Sequence, residues 1–218
     1  MRQWHYLKPM KSSKYMNQII FASNNAHKLE EMRHALDERF ELLSLSEVGF
    51  EGEIPETGRT LEANALQKAE YIYERFGRPV FADDTGLEVT ALHGAPGVDS
   101  AHYSGSRDAQ ANIAKLLEAL EGQSDRSARF RTVIAFIGPG LRELFSGEVF
   151  GSIATEVRGA SGFGYDPVFL PQGSEHTFAE MGMEAKSHFN HRVRALEKLI
   201  AWLDSDAPPF AAQDEPER

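Results

Sequence analysis

The sequence predicts an α/β domain built on a mixed sheet. Three observations carry this. Short apolar runs of strand length alternate with longer segments of helical periodicity through the first half of the chain. Two long strand-like runs, 128–138 and 143–157, then follow one another across Gly138-Pro139-Gly140, which reads as a hairpin. The chain has 218 residues, 41% hydrophobic and 26% charged, which suits one sizeable globular domain better than two small ones.

The elements follow in order. Residues 18–22, Gln-Ile-Ile-Phe-Ala, read as a short buried strand. Leu29, Met32, Leu36 and Phe40 then recur at helical spacing, so a helix is expected to reach Phe40, and Ser23, Asn24 and Asn25 offer N-cap side chains. Residues 40–48 form a second strand candidate and 49–60 a loop. Residues 60–76 form a helix with Leu61, Ala65, Ala69, Ile72 and Phe76 on one face. A strand over 79–84 ends on two carboxylates, Asp83 and Asp84. Residues 92–105 are too rich in glycine and proline for a regular element, and 109–120 read as a helix. A glycine-rich loop over 159–167 leads into a short strand, 168–170. The last helix, 191–203, turns Val193, Leu196, Leu199 and Leu203 inward.

Residues 17–204 thus form the domain, between an extension, 1–16, and a tail, 205–218, both expected to be disordered. The extension is basic and lacks the apolar core of a secretory signal, and Met16 is a second candidate start. No apolar run approaches a membrane span, and the net charge of −10 argues against a nucleic-acid partner. The absence of cysteine excludes disulfides and thiol catalysis and fits a cytoplasmic protein.

Four segments can carry chemistry. At 21–28 a strand enters a polar turn and then a helix, whose start offers free N–H groups and a positive dipole end. Lys28 in that first turn opposes the dipole, a conflict that a bound phosphate relieves; the plain alternative is an ordinary cap and a solvated lysine. At 83–86, Asp83, Asp84, Thr85 and Gly86 place two carboxylates beside a residue that permits a turn. Burying both is costly without a cation, and magnesium needs few protein oxygens; the plain alternative is a turn closing a strand. If the strand continues through them, the two side chains face opposite ways and do different jobs. At 161–167, Phe163 between Gly162 and Gly164 offers a platform for a flat ring, and Tyr165 and Asp166 follow; both aromatics can instead pack into the core. At 184–199, Lys186, His191, Arg192 and Arg194 crowd a helix start capped by Asn190 or Ser187, which points to an anionic partner. Together the four describe a pocket for a magnesium-bound nucleoside phosphate. Asp84-Thr85-Gly86 is also the tripeptide of aspartic peptidases, but a single copy demands a homodimer and the helices do not suit that all-β fold.

The chain resembles the inosine triphosphate pyrophosphatases, or non-canonical purine nucleoside triphosphate pyrophosphatases. The resemblance runs through 21–32, 56–69, 81–105, 161–170 and 177–199, in the family's order. It implies a long mixed sheet flanked by helices around a central substrate cleft, a homodimer, and Mg²⁺-dependent hydrolysis of ITP, dITP and XTP to the monophosphate and pyrophosphate. It places the catalytic carboxylate on Asp84 and the phosphate loop on Ser23, Asn24, Asn25, Ala26, His27 and Lys28. Thr85 stands where the family usually has Ser. The base pocket falls on Phe163, Gly164, Tyr165 and Asp166, and the remaining substrate contacts fall on Lys186, His191 and Arg192. Pro55 occupies the aligned position of a second metal-binding Glu, so Asp84 is joined as metal ligand by Glu56, with Glu53 and Asp83 as alternatives. Lys186, Arg192 or backbone donors are expected to read the 6-oxo edge of the base. A pyrophosphatase of other base preference and a non-catalytic nucleotide sensor are the competing functions.

Overall fold

A computed structural model describes residues 18–36, 40–182 and 189–205. The expected N-terminal extension, nearly all of the expected tail, and Lys186 and Ser187 lie outside the described residues. Strand β1 is Gln18–Phe21, followed by helix α1, Ala26–Ala35, and strand β2, Glu41–Leu43. Helix α2 is Leu61–Phe76, β3 is Val80–Val89 and β4 is Pro96–Gly97. Helix α3 is Ala109–Ala119, and β5, Ser127–Gly138, turns into β6, Leu141–Ile153, as the glycine-proline signal predicts. Strand β7 is Phe169–Pro171 and helix α4 is His191–Leu203.

One sheet runs in the order β2-β1-β3-β5-β6-β7, with β4 paired to β3. It is mixed: β1 runs parallel to β2 and β3, and the later pairs are antiparallel. Alternation along the strands explains the layers. On one face Val80, Ala82, Val133, Ala135 and Ile137 pack on Leu61, Ala65, Ala69 and Ile72 of α2. On the other, Phe21, Phe81, Ile134 and Phe136 pack on Ala195, Leu196, Leu199 and Leu203 of α4. A third cluster joins Leu87, Val89, Phe130, Phe169 and Phe178 to Ile113, Leu116 and Leu120 at the α3 end.

Three expectations need correction. Helix α1 stops short of Phe40: Leu36 is extended and gives its N–H to Met32 O. The strand expected over 40–48 ends at Leu43, because the Glu47 carboxylate accepts from both the N–H and the hydroxyl of Ser44 at 2.7 Å and folds the chain into a turn. The strand expected to end on the two aspartates continues through them to Val89. Gly86 therefore makes no turn. Its missing side chain admits β4: a Cβ there would lie 2.4 Å from Gly97 O.

Candidate active site

Strand β1 pairs with β3 only as far as Phe21 opposite Phe81. There β1 ends, while β3 runs on with Asp83 and Asp84. The polar turn 22–25 therefore lies beside the two carboxylates, at the carboxyl end of a parallel strand, where open α/β sheets usually bind ligands.

Asp83 and Asp84 face opposite sides of the sheet, and they do different work. The Asp83 side chain is fully buried on the α1–α4 side. Its Oδ2 receives Lys28 Nζ at 2.8 Å and Arg192 Nε at 3.2 Å. Its Oδ1 is buried without a hydrogen-bond partner among the described residues. Burial alone would raise the Asp83 pKa, but Lys28, Arg192 and Lys68 outweigh it and hold the carboxyl well below the usual range. Burial in turn lowers the pKa of Lys28, against the pull of Asp83. Arg192, itself buried, also pairs with Glu31. The cations at the starts of α1 and α4 therefore share one internal counter-ion. Their charge is thus met in part inside the protein, and Lys28 is not simply solvated. Asp83 is engaged by Lys28 and Arg192, and Asp84 by other groups.

Asp84 lies on the α2 side. Asn64 Nδ2 donates to its Oδ2 at 3.2 Å, and Lys68 Nζ stands 3.5 Å from its Oδ1. The same ammonium lies 2.5 Å from Glu56 Oε1. Burial raises the Asp84 pKa, with Lys68 and Lys28 opposing. Burial would lower that of Lys68, but Asp84, Asp83 and Glu56 together raise it. Among the described residues no cluster of three or more carboxylates or imidazoles surrounds this point. The donor set still fits magnesium: two carboxylates already gather about one cation, and the ion needs only one or two such ligands besides water and phosphate. Glu56, and not Glu53, shares that cation with Asp84. Sequence reasoning missed Lys68 and Asn64. Their signal was there: Lys68 falls three residues after Ala65 and one before Ala69, on the apolar face of α2, where an unpaired lysine would be costly.

The turn before α1 is partly spoken for. Asn25 caps the helix, its Oδ1 accepting from the N–H of His27 and of Lys28. Ser23 Oγ accepts from Asn25 N–H, and Asn24 Nδ2 donates to Gly52 O. The two capped N–H groups are thus not open donors, while Ala26 and His27 stay exposed.

The glycine loop divides its two aromatics. Phe163 is half exposed and lies parallel to the His27 ring, with centroids 6.4 Å apart. Tyr165 is core instead, its hydroxyl donating to Ser100 O. Buried Asp166 accepts from Phe163 N–H, and a side chain on Gly162 would strike the Asp166 carboxylate. Asp166 therefore shapes the loop that presents Phe163. Gly164 takes a left-handed conformation beside it, φ +59°. At α4, Asn190 is the N-cap, accepting from the N–H of Arg192 and Val193. His191 stacks on Phe130, and its Nδ1 lies 2.6 Å from Thr132 Oγ1. The structure thus brings the turn at 23–28, the aspartates, the Phe163 loop and the α4 start to one place. Lys186 lies outside the described residues.

The comparisons agree with this geometry. The Ham1 family model matches residues 19–202. A dITP/XTP pyrophosphatase of Porphyromonas gingivalis is 53% identical over 190 residues, covering 86% of this chain and 98% of its own. The Ham1 protein of Staphylococcus aureus superposes with a TM-score of 0.80 at 38% identity, over 87% of this chain and 99% of its own. A HAM1 protein from Coxiella burnetii gives 0.79 at 40% identity, over 85% and 98%. Their fold is the helix-flanked mixed sheet found here, which disposes of the aspartic peptidase reading. With the matched span running from β1 almost to the end of α4, the chain belongs to the Ham1 family.

Proposed function

We propose that this protein is a nucleoside triphosphate pyrophosphatase that hydrolyses dITP, XTP and ITP to the monophosphate and pyrophosphate, removing non-canonical purines from the nucleotide pool. The relatives' dITP/XTP pyrophosphatase activity supports the substrate class. One observation in this chain carries the chemistry: the largely buried carboxylate of Asp84 on β3 faces Lys68, which it shares with Glu56, while Lys28 comes from the neighbouring turn.

Asp84 is the base. Asn64 fixes one of its oxygens, and burial makes the carboxylate more basic than a solvated one. It takes a proton from water as the water oxygen bonds to the α-phosphorus. The bond from that phosphorus to the bridging oxygen breaks, and pyrophosphate leaves with the electron pair. Lys28 and Lys68 stabilise the charge developing on the phosphate oxygens. Asp84 and Glu56 would hold Mg²⁺, which when bound would supply further charge neutralisation there. Phe163 carries the base on its exposed face, beside His27. Donors from the α4 segment read the 6-oxo edge, so ATP, with an amino group at that position, leaves them unpaired. The protein works as a homodimer in the cytoplasm.

The test is incubation with Mg²⁺ and ITP, XTP, dITP, ATP, GTP or dTTP, with pyrophosphate and orthophosphate assayed separately. Pyrophosphate from the oxopurines, with little from ATP, is the expected result. Activity on another base keeps the mechanism and replaces the specificity. Nucleotide binding without turnover turns the protein into a sensor.

A further inference from the structure

Residues 53–58 bring Glu56 to the site without regular structure of their own. Helix α2 supplies the order that this loop lacks. Asn64, Gln67 and Lys68 share one helix face, at i, i+3 and i+4, and each meets a different loop residue. Lys68 Nζ donates to Glu56 Oε1 at 2.5 Å. Gln67 Oε1 accepts from Thr57 N–H at 2.8 Å, and Gln67 Nε2 donates to Thr57 Oγ1 at 2.9 Å. Asn64 Oδ1 accepts from Gly58 N–H at 2.7 Å. Gly58 permits that approach: a Cβ there would lie 2.7 Å from Asn64 Oδ1 and from Ala63 Cβ.

The backbone decides which way both amides point. A backbone N–H only donates, so Gly58 takes the oxygen end of Asn64 and Thr57 takes the oxygen end of Gln67. The nitrogen end of Asn64 is thereby turned to Asp84 Oδ2, 3.2 Å away. Asn64 is buried, and it ties the backbone of the loop to the carboxylate of the strand. Among the described residues the Gln67 amide bonds to Thr57 alone, so it acts on the loop and on neither carboxylate.

We propose that Asn64 and Gln67 are positioning residues that clamp the Glu56 loop onto α2 and so hold Glu56 and Asp84 together as one divalent-cation site. A carboxylate on a free loop has to be ordered each time a cation binds, and the entropy lost weakens binding. A loop fixed in advance by its own backbone avoids that loss. The cation's role rests on the proposed function, whereas the clamp is formed by this chain alone.

Amide hydrogen exchange of the metal-free, full-length protein, read by NMR, tests the clamp. Thr57 and Gly58 should both be protected. Gln67→Ala should lose protection at Thr57 and Asn64→Ala at Gly58. Gln67→Glu should keep Thr57 protected, because a carboxylate still accepts from the N–H and the Thr57 hydroxyl can donate to it. Mn²⁺ binding, followed by electron paramagnetic resonance with Mg²⁺ as competitor, tests the consequence. Both alanine variants should bind Mn²⁺ about 10–100-fold more weakly than wild type, and Gln67→Glu should restore the affinity. Wild-type Thr57 and Gly58 amides that exchange without protection overturn the proposal, even if Asn64→Ala fails to fold. So does a Gln67→Ala protein that loses protection at Thr57 but keeps the wild-type affinity for Mn²⁺. A wild type that hydrolyses ITP yet binds no Mn²⁺ also overturns it and leaves the proposed function standing. The expected exchange and binding in a wild type inactive on every oxopurine support the clamp and sink only the proposed function.

Discussion

At the residue scale, the adjacent aspartates are the most informative pair in the chain. Strand geometry alone says that they point apart, and the structure turns that into a division of labour. Asp83 is the counter-ion of buried Arg192 and of Lys28, and Asp84 faces Lys68 with room for chemistry. The two should fail differently when altered. Asp84→Asn keeps the shape and one donor contact but removes the base. Its kcat should fall by about 10²–10⁴-fold with KM little changed, measured as pyrophosphate release from ITP. Near-normal turnover in this variant would remove Asp84 from the role. The sequence made Asp84 legible because a carboxylate pair on a buried strand demands compensation. It hid Lys68 and Asn64 because both sit on the apolar face of a helix, where periodicity marks core and says nothing of partners across the sheet.

At the scale of elements, α1 and α4 are tied to β3 through a single carboxylate. Neither helix start bears an acid in its first turn, and the cations Lys28 and Arg192 that replace it converge on Asp83. Basic residues at two helix starts were readable from sequence as an electrostatic conflict. Their resolution was not, because it joins residues 28, 83 and 192, far apart in the chain. Asp83→Asn leaves Lys28 without its counter-ion and should cost about 3–5 kcal/mol of stability. The pH dependence has a definite sign. The folded pKa of Asp83 is depressed, so its contribution is fully present above the unfolded value, 3.8, and is lost as pH falls through the lower folded value. Denaturant unfolding of both proteins should therefore show a constant gap near neutral pH that closes in acid below 3.8. A gap independent of pH would mean that packing, and not charge, holds the helices to the strand.

On the scale of the whole molecule, the mixed sheet was legible because alternation, hairpin signal and helical spacing agreed over most of the chain. Boundaries failed where a single side chain decided them, as with Glu47 ending β2 and Gly86 carrying β3 onward. Charge shows the same contrast between global and local. The molecule carries a net −10, yet Lys28, Lys68 and Arg192 gather at the place proposed for a polyphosphate. Each of these cations already has a carboxylate partner, so from a distance the substrate meets the net negative field rather than the local cluster. Long-range repulsion is screened over about 8–10 Å near physiological ionic strength, whereas contacts inside the site are screened far less. Raising monovalent salt from low to physiological levels at saturating Mg²⁺ should therefore leave kcat/KM unchanged or raise it, and leave kcat alone. A steep fall in kcat/KM over that range would show that an exposed cationic surface steers the nucleotide in, and would move the search for substrate contacts outward from Lys28 and Lys68.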